Sequence, residues 1–204
     1  FLVDTTDKKL IKVSVEKWPD QTLRLFTPGK KVNSLYFLRK KRTCDEIDFC
    51  KVDLKTGEVK VLINEISKPY FNNDFFHLSL LNERKDIIWW SERTGHGHFY
   101  HYDGEGNLKN AITSGNWTAG KMVKIDTVGR TIYFGAYGQE KGACPYYARV
   151  NKARIDGNGQ VEVLTPEQAT HEAYFSKSGR YFVDNYSRAD LEPRSVLRLS
   201  LIHI

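Results

Sequence analysis

Sulfur is scarce in this chain, which holds one methionine and three cysteines, Cys44, Cys50 and Cys144. Three thiols cannot all pair internally, and none falls in a C-x-x-C spacing, so no redox dithiol or zinc ribbon is encoded. A Cys44–Cys50 bridge would close a short hairpin loop, but packed or surface thiols are the simpler expectation. Long apolar runs are missing as well: nothing approaches the roughly 18 residues of a transmembrane helix. No segment beyond about ten residues keeps a clean 3.6-residue period with caps, which argues against helices. There is no G-x-S-x-G either, so the sequence lacks the nucleophile elbow that lifts a serine above a strand-to-helix turn. Phe1 is neither a Met nor the start of a charged-then-apolar leader, and any signal peptide is expected upstream of it.

A surplus of one charge sign is also weak. The net charge is +6, but 31 Lys and Arg are interleaved with 25 Asp and Glu. Only Lys30 and Lys31, and then Arg39, Lys40, Lys41 and Arg42, cluster. Without an RNP-like aromatic motif the run of four reads as a solvated turn, and no nucleic-acid partner is expected.

Apolar residues make up 40% of the chain and aromatic ones 13%, enough for a real core. Short β-branched and aromatic runs bounded by Gly, Asn and Asp recur throughout. Four carry the same triplet: Leu35-Tyr36-Phe37, Ile88-Trp89-Trp90, Ile132-Tyr133-Phe134 and Tyr181-Phe182-Val183. Their centres are 53, 44 and 49 residues apart. The first three lead to a strand ending in Asp53, Asp103 or Asp156 and a tight turn, in two cases Asp-Gly, where glycine is expected to supply positive φ. A fourth strand follows at Val59, Leu108 and Val161. Four strands in a period of about 40–50 residues mark propeller blades. The expected fold is therefore all-β, with about four successive four-stranded antiparallel blades, the first and last incomplete, and no internal domain boundary.

The stretch Trp90-Ser91-Glu92-Arg93-Thr94-Gly95-His96-Gly97-His98-Phe99-Tyr100-His101-Tyr102-Asp103 resembles the propeller of the dipeptidyl peptidase IV family, whose blades carry Trp-x-Ser-Glu-Arg-x-Gly followed by His-Leu-Tyr and Asp. Ile112-Thr113-Ser114-Gly115-Asn116-Trp117 and Phe175 through Asp184 fall in the family's order, while His96 stands where an aromatic residue is usual. The resemblance implies part of an eight-bladed propeller, with residues 1–199 as propeller and 200–204 set aside as a non-native tail. It further implies a parent serine exopeptidase, secreted or periplasmic and able to dimerise, that releases N-terminal dipeptides after Pro or Ala. Its Ser-Asp-His triad would lie in a missing C-terminal α/β-hydrolase domain. The propeller's role would be to admit and orient peptide substrates. No Glu-Glu pair that would anchor the substrate amine occurs here. The resemblance implies that the loop Tyr70-Phe71-Asn72-Asn73-Asp74 lies nearest the pocket, with Phe71 and Asn72 as the substrate-binding candidates: Phe71 matches the first position of the family's Phe-Arg pair, while Asn72 departs at the second. The alternative is a non-enzymatic propeller that serves as a protein-binding scaffold.

Other constellations read as structural. Ser91, Ser114 and Ser178 lack the elbow context. On a strand His96 and His98 would share a face, but no third ligand is placed beside them, so neither metal nor cofactor is expected and His98 is read as packing within its blade. Glu92 and Arg93 are read as neighbours on opposite strand faces, each bonding another strand or a loop and holding adjacent blades together. Trp90, Ser91, Glu92, Arg93, His98 and Asp103 together form the expected blade motif. Two sequons, Asn116-Trp117-Thr118 and Asn185-Tyr186-Ser187, would both have to lie in surface loops.

Overall fold

A computed structural model of the chain describes residues 2–3, 10–26 and 34–200. The chain divides into two compact units, residues 1–71 with 105–107, and residues 72–104 with 108–204.

In the first unit β1 (Leu2–Val3) pairs with β2 (Leu10–Ile11), and β3 (Gln21–Phe26), β4 (Ser34–Lys41), β5 (Glu46–Asp53) and β6 (Val59–Ile66) form an antiparallel meander in that order. Its centre is Phe37, Cys50 and Val52, against which Val13, Val15, Leu35 and Val59 pack. Tyr36 stacks on Phe49 at 5.7 Å, with Phe26 edge-on to the same ring. Burial pushes the Cys50 thiol up to about 11, which makes it unreactive. All three cysteines are free thiols, and Cys44 holds a left-handed turn (φ 57°) between β4 and β5.

The basic run departs from its expected solvated turn. Arg39, Lys40 and Lys41 end β4, and Arg39 is buried, its Nε 2.8 Å from the Asp48 carboxylate on β5. The cause is charge pairing: Asp48, itself buried, also takes Lys17 at 3.0 Å and the Asn64 amide at 2.6 Å. Only Arg42 lies in the turn and is exposed. Lys30 and Lys31 lie outside the described residues.

The second unit holds three sheets. β7 (Leu78–Leu81), β8 (Asp86–Ser91), β9 (His98–Asp103) and β10 (Leu108–Ala111) form one meander; β11 (Thr118–Asp126), β12 (Thr131–Tyr137), β13 (Arg149–Arg154) and β14 (Val161–Val163) form the next. The last has three strands among the described residues: β15 (Thr170–Phe175), β16 (Tyr181–Arg188) and β17 (Leu191–Leu199). Tyr36, Trp89, Tyr133 and Phe182 are each buried on the second strand of their sheet, as the repeat requires.

The hairpin glycines work differently from the expectation. Positive φ falls on Gly57 (75°), Gly106 (89°) and Gly159 (86°), three or four residues past the aspartate, and not on Gly104 or Gly157. The turns are longer than two residues. In the first, Asp53 Oδ1 accepts the Lys55 and Thr56 N–H groups at 2.7 and 3.0 Å. Gly104 is needed for close approach instead, because a Cβ there would lie 2.4 Å from the Arg84 carbonyl oxygen.

The β7–β10 and β11–β14 sheets share one core. Ile88 and Trp90 on β8, with Phe99 and Ile112, pack with Ala119, Ile132, Phe134, Ala136, Ala153 and Ile155. Phe99 meets Phe134 edge-on at 5.5 Å, and Trp90 donates its indole N–H to the Ala119 carbonyl at 2.7 Å.

Two stability tests follow from this packing. Trp90→Ala removes a fully buried indole and its hydrogen bond, and is expected to cost about 3–5 kcal/mol in urea unfolding; a loss below about 1 kcal/mol would contradict the shared core. The β7–β8 connection runs through Asn82, Glu83 and Arg84, all left-handed (φ 49°, 53° and 71°). Glu83 is exposed. Glu83→Gly is therefore expected to raise stability, by about 0.5–1 kcal/mol after glycine's own entropic cost.

Candidate functional site

The β8–β9 hairpin is organised around the Trp90 indole. Gly97 lies against it so closely that a Cβ would come within 2.2 Å of the ring, and Phe75 meets its other side edge-on at 6.2 Å. β8 ends at Ser91, and the chain then turns through residues 92–97. Glu92 and Arg93 are therefore turn residues, not neighbours on a strand, because the Gly95 N–H closes onto the Glu92 carbonyl at 2.9 Å with Gly95 at φ 90°.

Their side chains do bond a loop and a strand. The Glu92 carboxylate accepts the Asn72 backbone N–H at 3.3 Å. Arg93 donates its backbone N–H and its Nε to the buried Ser91 hydroxyl at 3.1 and 2.9 Å, and its guanidinium lies 4.4 Å over the Tyr100 ring. Ser91 is thus an acceptor locked beneath a cation, the reverse of what a nucleophile requires. Asp103 closes β9.

His98 is fully buried. Its two ring nitrogens meet the Thr113 hydroxyl at 3.1 Å and the Gly115 carbonyl at 3.0 Å, and Trp117 packs edge-on at 5.0 Å. Burial, with His96 nearby, holds its pKa below the ordinary histidine value. His98 thus packs against the β10–β11 connection, while His96 lies in the turn and shares no strand face with it.

Asn72 is turned inward on its own loop. Its side-chain oxygen accepts the Asp74 and Phe75 N–H groups at 3.1 and 3.3 Å, and its carbonyl accepts the Phe76 N–H at 3.0 Å. Asn73 and Asp74 are the exposed residues of this turn. Phe71, in the first unit, has a buried ring and donates its N–H to the Cys44 carbonyl at 2.8 Å. The structure thus gathers Trp90, Ser91, Glu92, Arg93 and His98 into one hairpin, with Asn72 tied to it through Glu92.

Two charged networks escape sequence reading. In the first, Asp86 on β8 receives the His101 imidazole at 2.7 Å and Arg130 at 3.0 Å, and Asn82 bonds it as well. Arg130 also grips Asp156, so the network joins the two sheets. Asn110 adds bonds to the carbonyls of Ile155 and Gly157 at 2.9 and 3.1 Å. Burial alone would raise the Asp86 carboxyl, but its bonds from His101, Arg130 and Asn82 outweigh that and hold it at about 2.

The second network has the donor set of a metal site. Glu167, His171 and Asp184 bring one potential ligand atom each within 4.8 Å of one another. Every one of these atoms is engaged: His171 Nδ1 with Asp184 at 2.9 Å, its Nε2 with the Glu167 carbonyl at 2.9 Å, and Arg198 with Asp184 at 2.8 Å and Glu167 at 2.7 Å. The cation these carboxylates hold is the Arg198 guanidinium. Its bonds keep the Glu167 carboxyl low, although burial works in the other direction.

The meander sheets, with their aromatic shared core and repeated second-strand triplet, define this chain as consecutive blades of a β-propeller. The family described as the dipeptidyl peptidase IV (DPP IV) N-terminal region matches residues 1–193, and the chain belongs to it. Among curated relatives, a dipeptidyl peptidase 4 of Trichophyton rubrum is 24% identical over 153 residues, covering 71% of this chain and 19% of that protein. A dipeptidyl peptidase 4 of Arthroderma otae is 25% identical over 115 residues, covering 54% and 14%. This chain thus spans about a fifth or less of the relatives it matches. The crystal structure of Porphyromonas gingivalis dipeptidyl peptidase 4 shares its fold, with a TM-score of 0.76 at 23% identity, over 97% of this chain and 27% of that one.

The Asp86 network carries a pH test. Its folded pKa lies below the unfolded value of about 3.9, so its contribution is complete above about pH 4 and is lost as pH falls toward 2. Asp86→Asn is expected to unfold at lower urea than the wild type at pH 7, by about 2 kcal/mol. That gap should close between pH 4 and 2; a gap independent of pH would show that the charge contributes nothing.

Proposed function

We propose that this chain is the propeller portion of a serine exopeptidase that releases N-terminal dipeptides, with Pro or Ala before the cut, and that it admits and orients peptides for that reaction. The observation that carries the reading is the match to the dipeptidyl peptidase IV N-terminal region across residues 1–193. The parent is proposed to be secreted or periplasmic and to dimerise. No helix among the described residues is long and apolar enough to cross a membrane. The proposed chemistry belongs to an α/β-hydrolase domain supplied by the parent, where Ser attacks the carbonyl, His takes its proton and Asp holds the imidazole.

This chain's own residues support a non-catalytic share. Ser91 is bonded beneath Arg93, and His98, His101 and His171 each have both ring nitrogens engaged. His77 and Ser79 do meet, at 2.7 Å, but side by side at the start of β7, where the strand-to-helix elbow of a hydrolase nucleophile is lacking. The turn that holds Asn72, Asn73 and Asp74 is the segment we propose to lie toward the substrate. Glu92, bonded to the Asn72 N–H, is its support.

The test compares this chain with the full-length parent on a dipeptidyl-proline chromogenic substrate. The parent is expected to hydrolyse it, the 204-residue chain is not, and Ser79→Ala in the parent is expected to leave the rate unchanged. A full-length frame without G-x-S-x-G, or a parent that binds peptides and cleaves none, would favour the scaffold reading.

A further inference from the structure

The chain carries two N-x-[ST] triplets, at Asn116 and Asn185, and the structure separates them. The first lies in the connection between β10 and β11, residues 112–117. This connection is pinned from the inside at alternate residues. The Thr113 hydroxyl meets His98 Nδ1 at 3.1 Å and also accepts the Phe99 N–H at 3.0 Å. The Gly115 carbonyl meets His98 Nε2 at 3.0 Å. The Trp117 ring is edge-on to His98 and stacks on Phe134 at 6.2 Å. With 113, 115 and 117 held against the blade, the intervening Ser114 and Asn116 are turned out, and both are exposed. Gly115 makes this geometry possible: it sits at φ 132°, and a Cβ there would come within 2.4 Å of the Trp117 ring nitrogen.

The second triplet departs from the surface loop that its use would require. Asn185 is in the middle of β16, registered with Glu172 on β15 and with Ser195 on β17, so that it is paired on both sides. Its side-chain oxygen accepts the Ser195 hydroxyl at 2.7 Å, and the residue is half-buried. A sugar-bearing amide there would have to be accommodated on a formed sheet. At Asn116 it would extend into solvent without disturbing a strand bond or a core contact.

We propose that Asn116 is an N-glycan acceptor of this protein and that Asn185 is not. The modification is transfer of an oligosaccharide from its lipid pyrophosphate carrier to Asn116 Nδ2. A C–N bond forms, the sugar–phosphate bond breaks, the carrier pyrophosphate leaves, and the amide loses one proton. The proposal depends on the exported location proposed above only for its relevance in the native cell, since the test supplies its own export signal.

The experiment expresses residues 1–204 behind an added cleavable leader in a eukaryotic secretory host, and reads electrophoretic mobility before and after peptide-N-glycosidase. Occupied asparagines are mapped by mass spectrometry of the deglycosylated peptides. One glycan step is expected in the wild type and in Asn185→Gln, and none in Asn116→Gln or Thr118→Ala. Thr118→Ser should keep the step, which separates loss of the acceptor triplet from loss of folding. Leader-processed chain with an unmodified Asn116 would overturn the proposal, and so would sugar on Asn185 in the wild type. An export failure of the parent with Asn116 still modified in this host would count against the location and not against the site.

Discussion

Strand β8 has no solvent face. Ile87, Ile88, Trp89 and Trp90 follow one another, and each is at most 1% exposed. Successive strand residues point to opposite sides, so a run of four buried side chains means that both faces of the sheet must be covered. Ile88 and Trp90 belong to the core shared with the β11–β14 sheet, while Trp89, on the other side, is met edge-on by Phe76 at 5.1 Å. Free-standing sheets with two apolar faces are unstable, and stacking one meander on the next resolves the problem. The tight glycines, the inward histidine and the interlocked turns of the second unit are conditions for that stacking.

Within each meander the strands need polar anchors as well, and the chain supplies these between second and third strands. Arg39 pairs with Asp48, Asp86 with His101, and Asp184 with Arg198. Each pair has further partners, Lys17 and Asn64 in the first, Arg130 in the second, His171 and Glu167 in the third. Burying a charge is costly unless its bonds are replaced, and here they are replaced several times over. A one-residue slip between these strands would move one member of the pair to the other face, so the pairs also fix register.

The repeat is legible because it is written in local, strong signals: the aromatic triplets mark the second strand of each of the four larger sheets, and Asp53 and Asp103 close the third strand of two of them, while β13 ends at Arg154, two residues before Asp156. The turn glycines were misread by two residues, since a hairpin's length follows from how its neighbours pack and not from the Asp-Gly dipeptide. Arg39 was read with its basic neighbours although its partner Asp48 lies on the next strand, opposite it. Glu92 and Arg93 look like strand residues because nothing in Ser-Glu-Arg announces that the Gly95 N–H closes a turn onto the Glu92 carbonyl immediately after Ser91. The networks around Asp86 and Asp184 include bonds between residues 13 and 44 positions apart, His171 to Asp184 and Asp86 to Arg130, beyond any motif. Their trace in the sequence is an Asp or Arg within an otherwise apolar strand, a sign that a counter-charge awaits on the adjoining one.

The bond from the Trp90 indole to the Ala119 carbonyl joins two sheets, not two strands of one. Its proton can meet water only when the sheets part, whereas backbone amides can exchange through fraying of a single strand. The indole proton is thus a clock for blade separation. Its exchange lifetime measures how often neighbouring blades let go of each other while each remains folded, a motion that neither melting nor denaturant resolves, and the one by which a propeller could open sideways.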